Sequence, residues 1–489
     1  MDFPPFPKWV SFFSVHQKTE KGTTFPFILF PFATIVGPFF KIIGGIVKVT
    51  EGTFLDRLGL GRPELRAWAL YDWANSAFMT TIIAAVFPVY FNKVAAADLP
   101  AGEKLTLYSG ATTVALVIIA VLSPFLGALA DYSGIKKKML GFFLTLGVLA
   151  TSGLFFIERG DWLPAIFLFI LGNIGISGSF VFYDSLLPHV AGPEELDRVS
   201  TAGYALGYLG GGLLLALNVA WILNPGFFGL SGPDLAARLS FLSVGLWWLG
   251  FSIPLFLKVA EPPRRIEADE QSGERAIRIA WQRLRETFQE LRFYKNAFLM
   301  LLAFLIYNDG INTIIRMAAV YGESIGLAAN SLIVAILLVQ FIGIPFSFAF
   351  GRLAGRLGGK QSIFLALLVY LVITVLAYRM RTMFHFYLLA VLVAMVQGGS
   401  QALSRSLFAS MIPKHKSSEF FGFFGVTEKF AGIFGPALFA AFTAVTQSGR
   451  SAILSVVVFF LVGALILFFV NVPEGQRAAR EAEERLHEA

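Results

Sequence analysis

Three polar clusters interrupt otherwise apolar stretches, and their spacing suits chemistry. In "ALYDWANSAF" (69–78), Asp72, Asn75, Ser76 and Met79 fall at i, i+3, i+4 and i+7 and share one helix face. In "IYNDGINTII", Asp309, Asn312 and Thr313 repeat the pattern, and Arg316 takes the fourth place. Gln397, Gln401, Ser404 and Arg405 share a third face, and Glu428 follows in a later segment. An ionised aspartate at the centre of a spanning helix costs roughly 2.5–3.5 kcal/mol, so something must offset that or use it. Two carboxylates facing one cavity would bind a proton, a cation or an ammonium group. Arg316 and Arg405 would neutralise them at rest or grip a carboxylate, a set that suits a zwitterion. Two readings of Asp72 stay open, because it lies early in its segment: a solute site, or a lock between helices on one membrane face. Arg405 is either part of the path with Gln397 and Gln401 or a structural partner of Glu428. Asp309, Asp72 and Glu428 are the candidates for carrying a coupling proton.

The elements that position these residues follow from composition. Of 489 residues, 56% are hydrophobic and only 15% charged, and 52 are phenylalanine. A soluble domain carries about 25% charged residues, so this is a polytopic membrane protein. There are no cysteines, which excludes disulfides and thiolate metal sites. The five histidines, at 16, 189, 385, 415 and 487, lack ligand spacing, and neither a metal nor another cofactor is expected. No nucleophile–base cluster stands out, so an enzyme is not expected. The net charge of +7 is assigned to loops on the cytosolic side rather than to nucleic acid.

Twelve apolar segments lie near 65–91, 106–129, 138–157, 162–188, 199–222, 238–259, 296–321, 329–350, 362–380, 384–412, 418–444 and 452–471. Each can cross a hydrocarbon core of about 30 Å as a helix. The basic loops "GIKKKM", "GRLAGRLGGK" and "PKHK" fall on one side, which places both ends of the twelve-span body in the cytosol. The organisation expected is an apolar extension over 1–60, a six-helix bundle over 61–260, a linker over 261–295, a second bundle over 296–472 and a charged tail over 473–489. The extension is read as interfacial or loosely ordered; an extra span or re-entrant piece, and an upstream start outside the natural protein, are the alternatives. In the linker, Ile277, Trp281, Leu284, Phe288 and Leu291 recur at helical spacing, as in an amphipathic helix on the membrane surface. The bundles repeat each other. "GALADYSGIKKK" matches "GRLAGRLGGK", Pro188 matches Pro413, and Asp72, Asn75 and Ser76 match Asp309, Asn312 and Thr313. The glycine runs "GYLGGG" (207–212) and "GGS" (398–400) let helices approach closely; no Gly-Lys-Ser/Thr follows to make a phosphate loop.

The loop "GALADYSGIKKK" resembles the signature loop between the second and third helices of the major facilitator superfamily. Gly127, Leu129, Ala130, Asp131, Gly134 and Lys136 to Lys138 match it, whereas Tyr132 replaces a basic residue and, in the second copy, Gly355 replaces the aspartate. The resemblance implies that Gly127, Asp131, Gly134 and Lys136 serve a cytosolic gate. Tyr183 and Asp184, near the end of the fourth span beside Pro188, are further gate candidates. "RAWALYDWANSAF", "FLIYNDGINTIIRMAAVYG", "QGGSQALSRSLFASMIP" and "SSEFFGFFGVTEKFAGIFGP" are similar to the vacuolar amino-acid effluxer-like branch, that of the autophagy-related effluxers. The likeness spans about residues 63–472 and implies amino-acid transport.

The fold expected is therefore all-α, with twelve transmembrane helices in two six-helix pseudo-symmetric bundles. The function expected is secondary transport of a small polar solute by alternating access. The expected protein is a monomer in a bacterial inner membrane whose partners are the solute, the bilayer and protons. Export of drugs or other amphiphiles, and a transport-dead scaffold or receptor, are the alternatives.

Overall fold

The computed structural model describes residues 54–264, 276–289, 293–324, 329–432, 434–446 and 449–488. Residues 1–53 of the expected extension lie outside them. Among the described residues all regular structure is helical, and eleven helices are long and apolar enough to cross a membrane. The first six are Pro63–Ala95, Gly102–Ser133, Lys136–Phe156, Trp162–Val190, Leu196–Leu223 and Pro233–Lys258. The seventh to tenth run over Lys295–Ser324, Ala329–Leu357, Gly359–Tyr378 and Met383–Ala409, and the twelfth over Ala452–Phe469.

The eleventh segment, expected as one helix over 418–444, is two. Ser417–Phe430 ends at Ala431, and Phe434–Thr446 begins after Gly432, which sits at φ 102°. That left-handed conformation cannot continue a right-handed helix and favours glycine. Pro436 then falls in the first turn of the second piece, where a missing N–H is harmless. The first span is also irregular. Its α-helix over Pro63–Ala77 widens to π turns over Phe78–Ala85 ahead of Pro88, whose ring and missing N–H disfavour the regular i→i−4 bond.

The halves meet along four main seams: second span on the first piece of the eleventh, fourth span on that same piece, fifth on eighth, and fifth on tenth. Close approach needs glycine here. A Cβ on Gly127 would lie 2.2 Å from Ser418 O, and one on Gly422 would lie 2.6 Å from Pro124 Cα. The linker helix, Ala276–Gln289, packs on the second span. It buries Ile279, Ala280, Arg283 and Thr287, and it leaves Ile277 and Trp281 exposed. The chain's last described segment is a helix, Val472–Glu488, that packs on the seventh span.

Candidate functional site

Hydrogen bonds between the halves, among the described residues, all fall at the end of the bundle that carries the basic loops. The outermost layer is built on Asp131. Its buried carboxylate accepts from Ser418 N at 3.2 Å and Glu419 N at 2.9 Å, capping the N-terminus of the eleventh span from the opposite half. Lys136 Nζ lies 2.7 Å from Asp131 Oδ1 and donates to Ser417 Oγ at 2.6 Å and His189 Nε2 at 3.1 Å. An anion at a helix N-terminus and a cation beside it satisfy each other in a dry seam. Gly134, at φ 63°, ends the second span so that Lys136 can turn back toward Asp131. Tyr132, in place of a basic residue, meets two arginines: Arg264 lies 4.5 Å and Arg283 5.5 Å from its ring centre. The positive charge at this position is supplied from the linker, through cation–π contacts.

The second layer is built on Arg405. Its Nη1 donates to Asp184 Oδ1 at 2.9 Å, and its Nη2 donates to Asp72 Oδ2 at 3.2 Å and to Ser200 O at 3.1 Å. Its Nε donates to Ser200 Oγ at 2.9 Å, and Ser200 Oγ donates to Ala402 O at 2.7 Å. The guanidinium also lies 4.9 Å from the Trp68 ring, 4.7 Å from Tyr204 and 5.6 Å from Tyr183. Trp68 stacks on Tyr183 at 4.5 Å. The tenth span thus inserts one cation among the first, fourth and fifth. Gly203 makes room for it: a Cβ there would lie 2.5 Å from Asp72 Oδ2. Asn75 Nδ2 faces Asp72 Oδ1 at 3.5 Å, and Ser76 packs against Gly207 of the fifth span. Beside this layer, Ser406 Oγ donates to Asp197 Oδ1.

Asp309 lies elsewhere. Its carboxylate accepts from Phe434 N at 3.0 Å and Gly435 N at 2.8 Å, so it caps the second piece of the broken eleventh span within its own half. Thr313 Oγ1 donates to the Asp309 backbone O at 2.7 Å and lies 3.4 Å from its Oδ1. Asn312 Nδ2 donates to Ala431 O at 3.3 Å, on the other side of the break.

Two expectations are corrected here. Asp72 and Asp309 do not open together into one cavity, because each carboxylate is buried and spent on a different partner. Arg405 does not pair with Glu428; two aspartates from the other half hold it, and Glu428 Oε2 lies 3.4 Å from its neighbour Lys429 Nζ. Gln401 Nε2 faces Asn308 Oδ1 at 3.4 Å, and Gln397 is half-buried one turn away. The Arg316 side chain lies outside the described residues. Trp68, Tyr204, Ser200 and Lys429 were missed from sequence. Trp68 and Tyr204 sit one helical turn from Asp72 and Ser200, so their shared faces were the available signal.

Twelve spans in two six-helix halves, meeting second on eleventh and fifth on eighth, define a major facilitator superfamily transporter. The structure resembles that of the superfamily's proton:xylose symporter XylE, with a TM-score of 0.62 at 13% identity over 88% of this chain and 99% of that one. Residues 101–480 match the family model "Vacuole effluxer Atg22 like", and the chain belongs to that family. It is 38% identical to the uncharacterized MFS-type transporter YxiO of Bacillus subtilis (strain 168), over 83% of this chain and 94% of the relative. It is 24% identical to autophagy-related protein 22 of Yarrowia lipolytica, over 77% of each chain.

Proposed function

We propose that the protein moves amino acids across a bacterial inner membrane by alternating access, with its basic loops in the cytosol. One observation carries the reading: the halves are held together by exchangeable polar bonds at one end only, among the described residues. Breaking those bonds opens the cytosolic face, and remaking them closes it. The basic loops favour the cytosol for that end.

The Arg405 layer is the main lock. One guanidinium faces two carboxylates, so the buried cluster carries an excess negative charge when both aspartates are ionised. A proton on Asp72 or Asp184 relieves that excess and frees one arm of the arginine, which couples proton uptake to opening. The Asp131 cap is the outer latch. The amino-acid assignment is supported by the likeness to the effluxer branch and by the positive and negative groups between the halves.

The test is uptake and counterflow in proteoliposomes with labelled amino acids, with and without a pH gradient. Movement of at least one amino acid, stimulated by the gradient, is the expected result. Transport of amphiphilic solutes with no movement of any amino acid would overturn the substrate assignment.

A further inference from the structure

Glu428 and Lys429 differ from the charged groups that lock the halves and cap the eleventh span. Asp131, Lys136, Asp72, Asp184 and Arg405 are nearly inaccessible and held by charged partners, and Asp309 is buried against two backbone N–H groups. Glu428 and Lys429 share a single contact of 3.4 Å. Adjacent residues on a helix point about 100° apart, so this contact forms only because the side chains bend toward each other. Neither makes another described hydrogen bond or ion pair, and the Glu428 charge lies close enough to act on Asp184 and Tyr204 of the other half. Their side chains are 35% and 13% exposed, respectively.

Their place in the fold is central. Glu428 is eleven residues into the piece that starts at Ser417, about 16 Å above the basic end at 1.5 Å per residue. That is mid-depth in a core of about 30 Å. Lys429 Nζ lies 5.5 Å from the Phe180 ring of the fourth span, so the pair faces the other half. The helix breaks just beyond, at Ala431 to Gly432. Discontinuous helices near the midplane are where transporters hold solutes and ions. Two charges left this poorly paired at mid-depth need water or a solute to compensate them.

We propose that Glu428 and Lys429 form the recognition site for a zwitterion, with Glu428 on the ammonium group and Lys429 on the carboxylate. This deepens the transport reading above and rests on it. A bound α-amino acid replaces the one long contact with two charge-assisted ones, and the Phe180 ring lies beside its side chain.

The experiment measures transport by the wild type and by Glu428→Gln, Lys429→Met and Lys429→Arg. The solutes are amino acids, the amines lacking their carboxylate and the acids lacking their amino group. Lys429→Met is expected to raise KM for amino acids about tenfold or more and to erase the preference over the amines. Glu428→Gln is expected to erase the preference over the acids, and Lys429→Arg to keep most of the affinity. Thermal melting in detergent checks that each variant folds. If the wild type carries amino acids and all three variants keep its KM and preferences, the pair is overturned and the transport reading stands. If the wild type carries none of the amino acids, both fall.

Discussion

Asp72 and Asp309 occupy matching places in the two repeats, with the same Asp–x–x–Asn–Ser/Thr spacing, yet they hold different things together. Asp72 reaches across to Arg405 of the other half. Asp309 stays within its half and caps the second piece of the broken eleventh span. The sequence repeat therefore preserves a buried carboxylate at one helix position without preserving its partner. A bond between halves must break whenever the bundle opens at that end, whereas a bond within a half can persist through the cycle. On this view, Asp72 belongs to the moving lock and Asp309 to the frame.

The largest expected effect breaks the Asp72 side of the comparison. Arg405→Met leaves Asp72 and Asp184 buried without their counter-charge, a loss of about 3–5 kcal/mol. Thermal melting in detergent should fall accordingly, and transport should drop below about a tenth of wild type, a loss of over 1.4 kcal/mol in transition-state terms. Asp131→Asn comes next. It weakens the outer cap between halves and leaves Lys136 buried without its counter-charge, a loss of about 3 kcal/mol. It should raise accessibility at the basic face about tenfold or more, measured by the rate of maleimide labelling at an introduced cysteine. Asp309→Asn removes the charge at the N-terminus of Phe434–Thr446 and should cost about 1–2 kcal/mol of stability, with no change in thiol accessibility at the basic face. The smallest effect is Tyr132→Phe. The ring face, not the hydroxyl, meets Arg264 and Arg283, so stability should stay within about 0.5 kcal/mol by the same melting assay.

The positions of the spans were legible because hydropathy reports length and apolarity. The break in the eleventh was not, because Ala431, Gly432 and Ile433 leave the run as apolar as before. Its conformation comes from Gly432 at positive φ and from a cap supplied more than a hundred residues away by Asp309. The spacing of Asp72 and Asp309 was legible as well. Their partners were not, since sequence gives the face of a helix but not which neighbour meets it. The same limit explains Arg405, for which Glu428 looked a natural partner from the next span. Its true partners come from the first and fourth spans, and Gly203 on the fifth leaves the space they need. Tyr132 shows the reverse case. A tyrosine stands where the loop pattern has a basic residue, and the linker supplies the missing charge through Arg264 and Arg283.

The absence of cysteine in the chain allows clean site-directed labels. Glu194, on a loop of the first half, and Arg352, in the last turns of the eighth span, are exposed at the basic face. Spin labels on Glu194→Cys and Arg352→Cys report their separation by double electron–electron resonance. The account predicts that Asp72→Asn shifts the distance distribution to longer values, while Asp309→Asn leaves it like wild type. An unchanged distribution in Asp72→Asn, or an equal shift in Asp309→Asn, would contradict the division between moving lock and frame.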